Sequence, residues 1–206
     1  MNTGTPKTSK TSVLVVAAVT NFMGPFMLSS VNVALPAIQD EFSLNAVLLS
    51  WIANAYLLAS GVFLVPVGKI ADIYGRKRVF ATGIFFFTVF TVATAFCPSF
   101  FWIIGCRIFQ GVGAAMTMAT GFAIIAAVFP PKELGKAIGV AVAAVYTGLS
   151  VGPSAGGILT GLLGWRSIFL LNGPIGILAL FLCLTRIREE WTDAEGERLD
   201  LPGSVL

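Results

Sequence analysis

The chain reads as six long apolar runs separated by short polar breaks, at about Val13–Leu35, Leu48–Val67, Val79–Phe96, Phe101–Val128, Ala137–Leu163 and Ile168–Thr185. A helix needs roughly 20 apolar residues to cross a hydrocarbon core about 30 Å thick, and each run is close to that length or longer. A membrane β-barrel would show short segments alternating apolar and polar. These runs are continuous. Helices and closed barrels are the structures that pair every lipid-facing backbone group internally, so the pattern predicts an all-α membrane protein with six transmembrane helices. It divides the chain into a tail at residues 1–12, a bundle at 13–186 and a linker at 187–206 leading toward a further helix. Lys7 and Lys10 before an apolar run could also open a secretory signal, but this first run is too long for one and five more follow.

Composition agrees. Of the 206 residues, 56% are hydrophobic and 11% charged, against roughly 25% charged in soluble domains. A water-facing surface could not be built from so few charges, and the lipid bilayer is the expected partner. The sequence has no His, and Cys97, Cys106 and Cys183 have no metal-ligand spacing. They read as soft apolar filler. No cofactor is expected. Gly148-Leu-Ser150-Val-Gly152 matches the Gly-x-Ser-x-Gly pattern of a hydrolase, but that motif needs a strand–turn–helix setting and a base. Here it lies within an apolar run, so an enzyme is not expected.

The 13 Lys and Arg residues set the orientation. Lys7 and Lys10 precede the first span. Lys69, Arg76, Lys77 and Arg78 lie between spans two and three, Lys132 and Lys136 between four and five, and Arg186, Arg188 and Arg198 after six. In a six-span chain all of these share one side. The opposite side has Arg166, and Arg107 lies inside span four. The positive-inside rule puts the basic side, with both termini, in the cytoplasm of a cell-membrane protein. The net charge of +3 is then a topological signal, and no nucleic-acid partner is expected. Short connections imply antiparallel neighbours in a compact bundle.

Four constellations break the apolar pattern. Between spans two and three runs Gly68-Lys-Ile-Ala-Asp72-Ile-Tyr-Gly75-Arg76-Lys77-Arg78. Its glycines suit a tight turn, and Asp72 can accept from a helix start or pair with Arg76. A basic topogenic turn alone would need no such placement. Span four carries Arg107 with Gln110 one turn on, then Gly111, Gly113 and Ala115. An arginine this deep costs a few kcal/mol on insertion scales. It either faces a polar interior or ties helices together through backbone carbonyls. Span five carries Gly148, Gly152 and Gly156, with Pro153, Gly157 and Gly161. Glycines four apart make a smooth packing stripe, and Pro153 removes a helix hydrogen bond and invites a kink, so packing and hinge roles are both open. Trp165 and Arg166 suit a membrane interface, with Asn172, Gly173, Pro174 and Gly176 following. Asn21, Asn32, Asn54, Tyr56 and Tyr146 add polar groups inside the spans. They suit a cavity for a small-molecule solute, or ordinary hydrogen bonds between helices.

In this order, these motifs resemble the N-terminal six-helix half, a 3+3 inverted repeat, of a major facilitator superfamily transporter. The resemblance runs from about Val13 to Leu206. The Gly68–Arg78 turn is similar to the family's loop between helices two and three, Arg107–Ala115 to its helix-four motif, and Gly148–Gly157 to the helix-five motif of its antiporters. Asn32-Val-Ala-Leu-Pro36 and Trp165–Gly176 resemble the branch of 14-helix drug:proton antiporters. The resemblance implies multidrug-type efflux by alternating access. Asp72 and Arg76 would form a cytoplasmic charge latch, and Gly68 and Gly75 would let the loop turn. Arg107 would sit by the central cavity and take part in coupling. The stripe of Gly148, Gly152, Gly156 and Gly157 with Pro153 would govern access. A non-transporting scaffold that keeps the fold is the alternative.

Three departures stand out. Ile73 occupies a position where the family's loop usually has Arg, which weakens the latch by one charge. Met27 stands where the drug exporters usually carry Asp, five residues before Asn32, and no Asp or Glu lies in any of the six runs. Coupling to protons is therefore expected to use groups outside them. The family also has a second six-helix half, so a missing C-terminal half or a second copy of this chain is an expected partner. The apolar ending Asp200–Leu206 reads as the lead-in to a seventh helix.

Overall fold

A computed structural model describes residues 8–192. The six runs are six helices: α1 (Lys10–Phe42), α2 (Ala46–Tyr74), α3 (Arg76–Ala95), α4 (Phe100–Val128), α5 (Pro131–Leu163) and α6 (Arg166–Arg186). All six are long and apolar enough to cross a membrane. They generally run past the apolar stretches: α1 begins at Lys10 rather than after residue 12, so the tail expected to end at residue 12 is helical in its last three residues. At about 1.5 Å per residue, 33 residues exceed the hydrocarbon thickness and carry the polar ends beyond it. Of the linker, residues 187–192 are described, and the lead-in to a seventh helix lies outside the described residues.

Local chemistry fixes the ends. The Asn45 side chain accepts the Leu48 amide at 2.9 Å and starts α2, as N-cap residues do. Pro131 opens α5, where its missing N–H is no loss. Gly75, at φ +108°, joins α2 to α3 in a single residue. The expectation that Gly68 helps that turn is corrected: it lies well inside α2, with open space around it. Glycine is tolerated inside a helix, and only Gly75 has the backbone angle that reverses the chain.

The packing repeats itself. α1 packs most extensively on α5, α4 packs closely on α2, and α3 meets α6. Exchanging α1 with α4, α2 with α5 and α3 with α6 maps these pairs onto each other. Because successive helices alternate in direction, each exchange also inverts them, which is the 3+3 inverted repeat. The core runs through Phe80, Ile84, Ile103, Ile124 and Ile168. Val62, Val65, Phe101, Ile158 and Leu162 are exposed, a liability in water and the surface that lipid requires.

Candidate functional site

A cavity of about 300 Å³ opens among α1, α2, α4 and α5, with Ile84 and Phe87 of α3 at its back. Its walls come from the middle of each helix: Thr20–Leu28, Tyr56–Ser60, Ala114–Phe122 and Val145–Leu149 contribute. Most of the lining is apolar, from Met23, Leu28, Leu57, Met118, Phe122 and Leu149. Mid-depth polar atoms are few. The hydroxyls of Thr20, Ser60 and Thr117 donate to carbonyls of their own helices at 2.9–3.0 Å. A small, mostly apolar, preformed hollow with sparse polar groups is the usual form of a small-molecule site.

Of the eight residues expected to line a pathway, Asn21 and Tyr56 line this cavity. Arg107 and Gln110 are completely buried and do not. Tyr56 separates them from it: its ring lies in the cavity wall, and the Arg107 guanidinium stacks on it at 4.6 Å. Arg107 Nε donates to the Ile52 carbonyl at 2.9 Å, and Nη1 donates to Gln110 Oε1. Gln110 Nε2 in turn donates to Thr91 Oγ1, whose hydroxyl donates to the Phe87 carbonyl. The expected place of Arg107, beside the cavity, is thus corrected to one step behind it. Both readings of this arginine hold in part, since it also ties α4 to the α2 backbone. Asn32, Asn54 and Tyr146 are exposed, Tyr146 to 64%. Asn172 is buried elsewhere and donates to Ile168 of its own helix. Helical periodicity alone could not separate these faces, because every face of these helices is apolar.

The glycine stripe meets α1. A Cβ on Gly148 would lie 2.6 Å from the Phe22 carbonyl, and one on Gly156 would lie 2.8 Å from Ser30 Cα. At Gly152 it would overlap the Ser29 hydroxyl. Ser30 Oγ donates to the Gly152 carbonyl at 3.0 Å, and Ser29 Oγ reaches the Gly148 carbonyl at 3.3 Å. Small residues and cross-helix hydroxyls are what packing inside a membrane uses. Gly157 stands off this contact, where a Cβ would meet Val33 at 3.7 Å, and Pro153 is exposed inside a continuous helix. Gly111 and Gly113 do the same for α4, against the backbones of Tyr56 and Phe87. Sequence reasoning misses Ser29 and Ser30, although two adjacent serines in an apolar run are a visible signal.

At the basic end, Arg76 Nη2 donates to Asp72 Oδ1 at 3.0 Å across the α2–α3 turn, as their four-residue spacing allows. Glu190, from beyond α6, accepts from the Lys77 and Arg78 amides at 2.7 and 3.3 Å. It caps the positive end of α3. At the opposite end, Glu41 Oε1 and Oε2 accept from Arg166 at 2.6 Å each, and Oε2 also accepts from Trp165 Nε1 at 2.8 Å. Sequence alone assigns neither carboxylate a role, since each partner lies more than 110 residues away.

The sequence matches the family described as Major Facilitator Superfamily over residues 17–204. Over 194 residues it is 37% identical to "Riboflavin transporter RibZ" of Clostridioides difficile (strain 630), covering 94% of this chain and 42% of that protein. Over 177 residues it is 40% identical to "Multidrug resistance protein Stp" of Mycobacterium tuberculosis (strain CDC 1551 / Oshkosh), covering 85% of this chain and 33% of that protein. The chain therefore spans less than half the length of these relatives. The fold resembles a bacterial homolog of the human lysosomal transporter Spinster in an inward-facing, unoccupied conformation, with TM-score 0.77, 23% identity, and coverage of 94% of this chain and 46% of that one.

Proposed function

We propose, for a chain that belongs to the Major Facilitator Superfamily, that it supplies the N-terminal six-helix bundle of an alternating-access exporter of small amphipathic molecules. The observation that carries this reading is the mid-depth cavity walled by the middles of α1, α2, α4 and α5, since transporter sites lie near the bilayer midplane between repeats. The relatives named for riboflavin transport and multidrug resistance support a small-molecule cargo. The Asp72–Arg76 pair beside the Gly75 turn supports a latch on the cytoplasmic side, and the distribution of Lys and Arg supports that orientation. The α1–α5 glycine seam supports sliding or rocking of one helix on the other during access changes.

The bundle works with a second six-helix half, from the same protein or a second copy. Proton coupling rests on groups outside the six apolar runs. Among the described residues, Asp40 and Glu41 lie at one end of the bundle and Asp72, Glu133, Glu189 and Glu190 at the other.

The test is transport by the intact protein. Cells making it should hold less of fluorescent amphipathic dyes, tried in each charge sign, than cells without it. Equal retention of every dye, with the protein present in the membrane, would favour a non-transporting scaffold.

A further inference from the structure

The interior of the bundle carries one charged group among the described residues. Arg107 is completely buried, and every described carboxylate lies at one end of the bundle or the other. Its guanidinium is incompletely satisfied. Nε and Nη1 have acceptors, but Nη2 has no partner. A buried charge without a counter-charge is costly, and hydrogen bonds to neutral carbonyls repay only part of that cost. The Tyr56 ring covers one face of the guanidinium and adds a cation–π attraction.

The cavity beyond Tyr56 has unpartnered donors of its own. Its Thr and Ser hydroxyls already spend their hydrogens on their own helices. The Asn21 Nδ2 amide is buried and has no acceptor. The Tyr56 hydroxyl makes no hydrogen bond among the described residues; it points at Gly24, where a Cβ would stand 3.2 Å from it. The hydrogens left over in and just behind this cavity therefore sit on Asn21, Tyr56 and Arg107. Each can donate a hydrogen bond, and Arg107 bears a full positive charge.

We propose that this donor set is a subsite for an organic anion, with the Arg107 guanidinium and Asn21 amide receiving a carboxylate on an otherwise apolar body. It rests on the reading of the cavity as a solute site. Tyr56 is the gate: when its ring turns off the guanidinium, the unpartnered Nη2 meets the cavity, and a carboxylate supplies the missing counter-charge. Two N–H groups on one guanidinium suit a planar carboxylate. The apolar walls, from Leu28, Leu57, Met118 and Phe122 among others, hold the rest of the molecule. A cation would meet an uncompensated positive charge at short range with no acid to answer it.

Three probes of nearly equal shape isolate the charge: benzoate, benzamide and benzylammonium. Each is titrated against the purified intact protein in lipid nanodiscs, with binding read from intrinsic tryptophan fluorescence and from the thermal unfolding midpoint. Benzoate should bind about tenfold or more tighter than benzamide, with benzylammonium weakest, as one charge-assisted pair implies. Asn21→Leu should weaken benzoate and leave benzamide nearly unchanged. Arg107→Lys, which keeps the charge but not the planar fork, should weaken benzoate while preserving the order. Arg107→Gln should bring benzoate down to the level of benzamide. Equal binding of all three probes, tighter binding of benzylammonium, or unchanged benzoate affinity in both Arg107 variants would overturn the subsite. These outcomes are independent of flux. A protein that moves dyes yet ignores charge sign loses the subsite and keeps the transport reading. One that binds benzoate through Arg107 yet moves nothing keeps the subsite and loses transport.

Discussion

Ser30 of α1 donates its hydroxyl to the Gly152 carbonyl of α5 at 3.0 Å, and the two backbones touch there because position 152 has no side chain. The same relation recurs one turn on, where a Cβ on Gly156 would stand 2.8 Å from Ser30 Cα and 3.0 Å from its carbonyl. Backbone cannot swing aside as a flexible side chain can. Gly156→Ala should therefore force α1 and α5 apart, at about 1–3 kcal/mol, the range for overpacked cores. Gly157→Ala, whose Cβ would meet Val33 at an ordinary 3.7 Å, should be nearly neutral. Thermal unfolding of both variants in detergent checks this, and equal midpoints would contradict it.

The α2–α3 turn makes a second comparison possible. Gly75 has φ +108°, and a Cβ there would lie 2.6 Å from the Glu190 carboxyl group. Gly75→Ala should cost about 1–3 kcal/mol through backbone strain and should release the segment after α6. Glu190→Ala should release it without strain. Limited proteolysis at Arg188 reads the release, and faster cleavage is expected in both variants. Protection equal to that of the unmodified protein in Glu190→Ala would show that the α3 cap does not hold the segment.

Glu41 carries two roles that substitution can separate. Its pairing with Arg166 is partly exposed, so its contribution is at most about 1 kcal/mol and is screened by salt. Its acceptance of the Trp165 N–H is more sheltered, since Trp165 is buried. Glu41→Gln keeps an acceptor for Trp165 and should cost little. Glu41→Ala leaves that N–H unpaired and should cost about 1–3 kcal/mol. Chemical or thermal denaturation at low and high salt distinguishes them. A Gln variant as damaged as the Ala variant would place the weight on the ion pair.

Cys97, in the turn before α4, lies 3.6 Å from the Cys106 sulfur. Burial first, and then the neighbouring thiol, push the Cys97 thiol up to about 12. At about pH 8 the thiolate, the reactive form, is then on the order of one part in ten thousand. Maleimide at that pH should leave Cys97 unmodified in the folded protein and modify it after denaturation, as mass spectrometry of the peptides would show. Rapid labelling of the folded protein would contradict this environment.

The helices were legible because lipid imposes one simple demand, a continuous apolar run, and the chain meets it six times. The Asp72–Arg76 pair was legible because both residues lie within one turn of each other in sequence. The Gly148–Gly156 stripe was legible as a packing surface, though its partner was not. The rest depended on contacts between distant residues. Nothing local to Arg107 says that Tyr56, from another helix, will cover it. Nothing local to Glu41 or Glu190 names a partner more than 110 residues away. Asn32, Asn54 and Tyr146, which are exposed rather than in the cavity wall, show a related limit. In a helix with apolar residues on every side, a polar residue marks an exception without revealing which way it faces.

The claim that the cavity is the solute pathway has a direct test in Ser60. It lines the cavity, and its hydroxyl donates only to Leu57 of its own helix, so Ser60→Cys preserves the local structure. With Cys97, Cys106 and Cys183 replaced by serine, the introduced thiol is the one thiol among the described residues. An impermeant thiol reagent should reach it from water, transported solute should slow the reaction, and modification should stop flux. An introduced thiol that reacts at the same rate with and without solute, or whose modification leaves flux unchanged, would contradict the account.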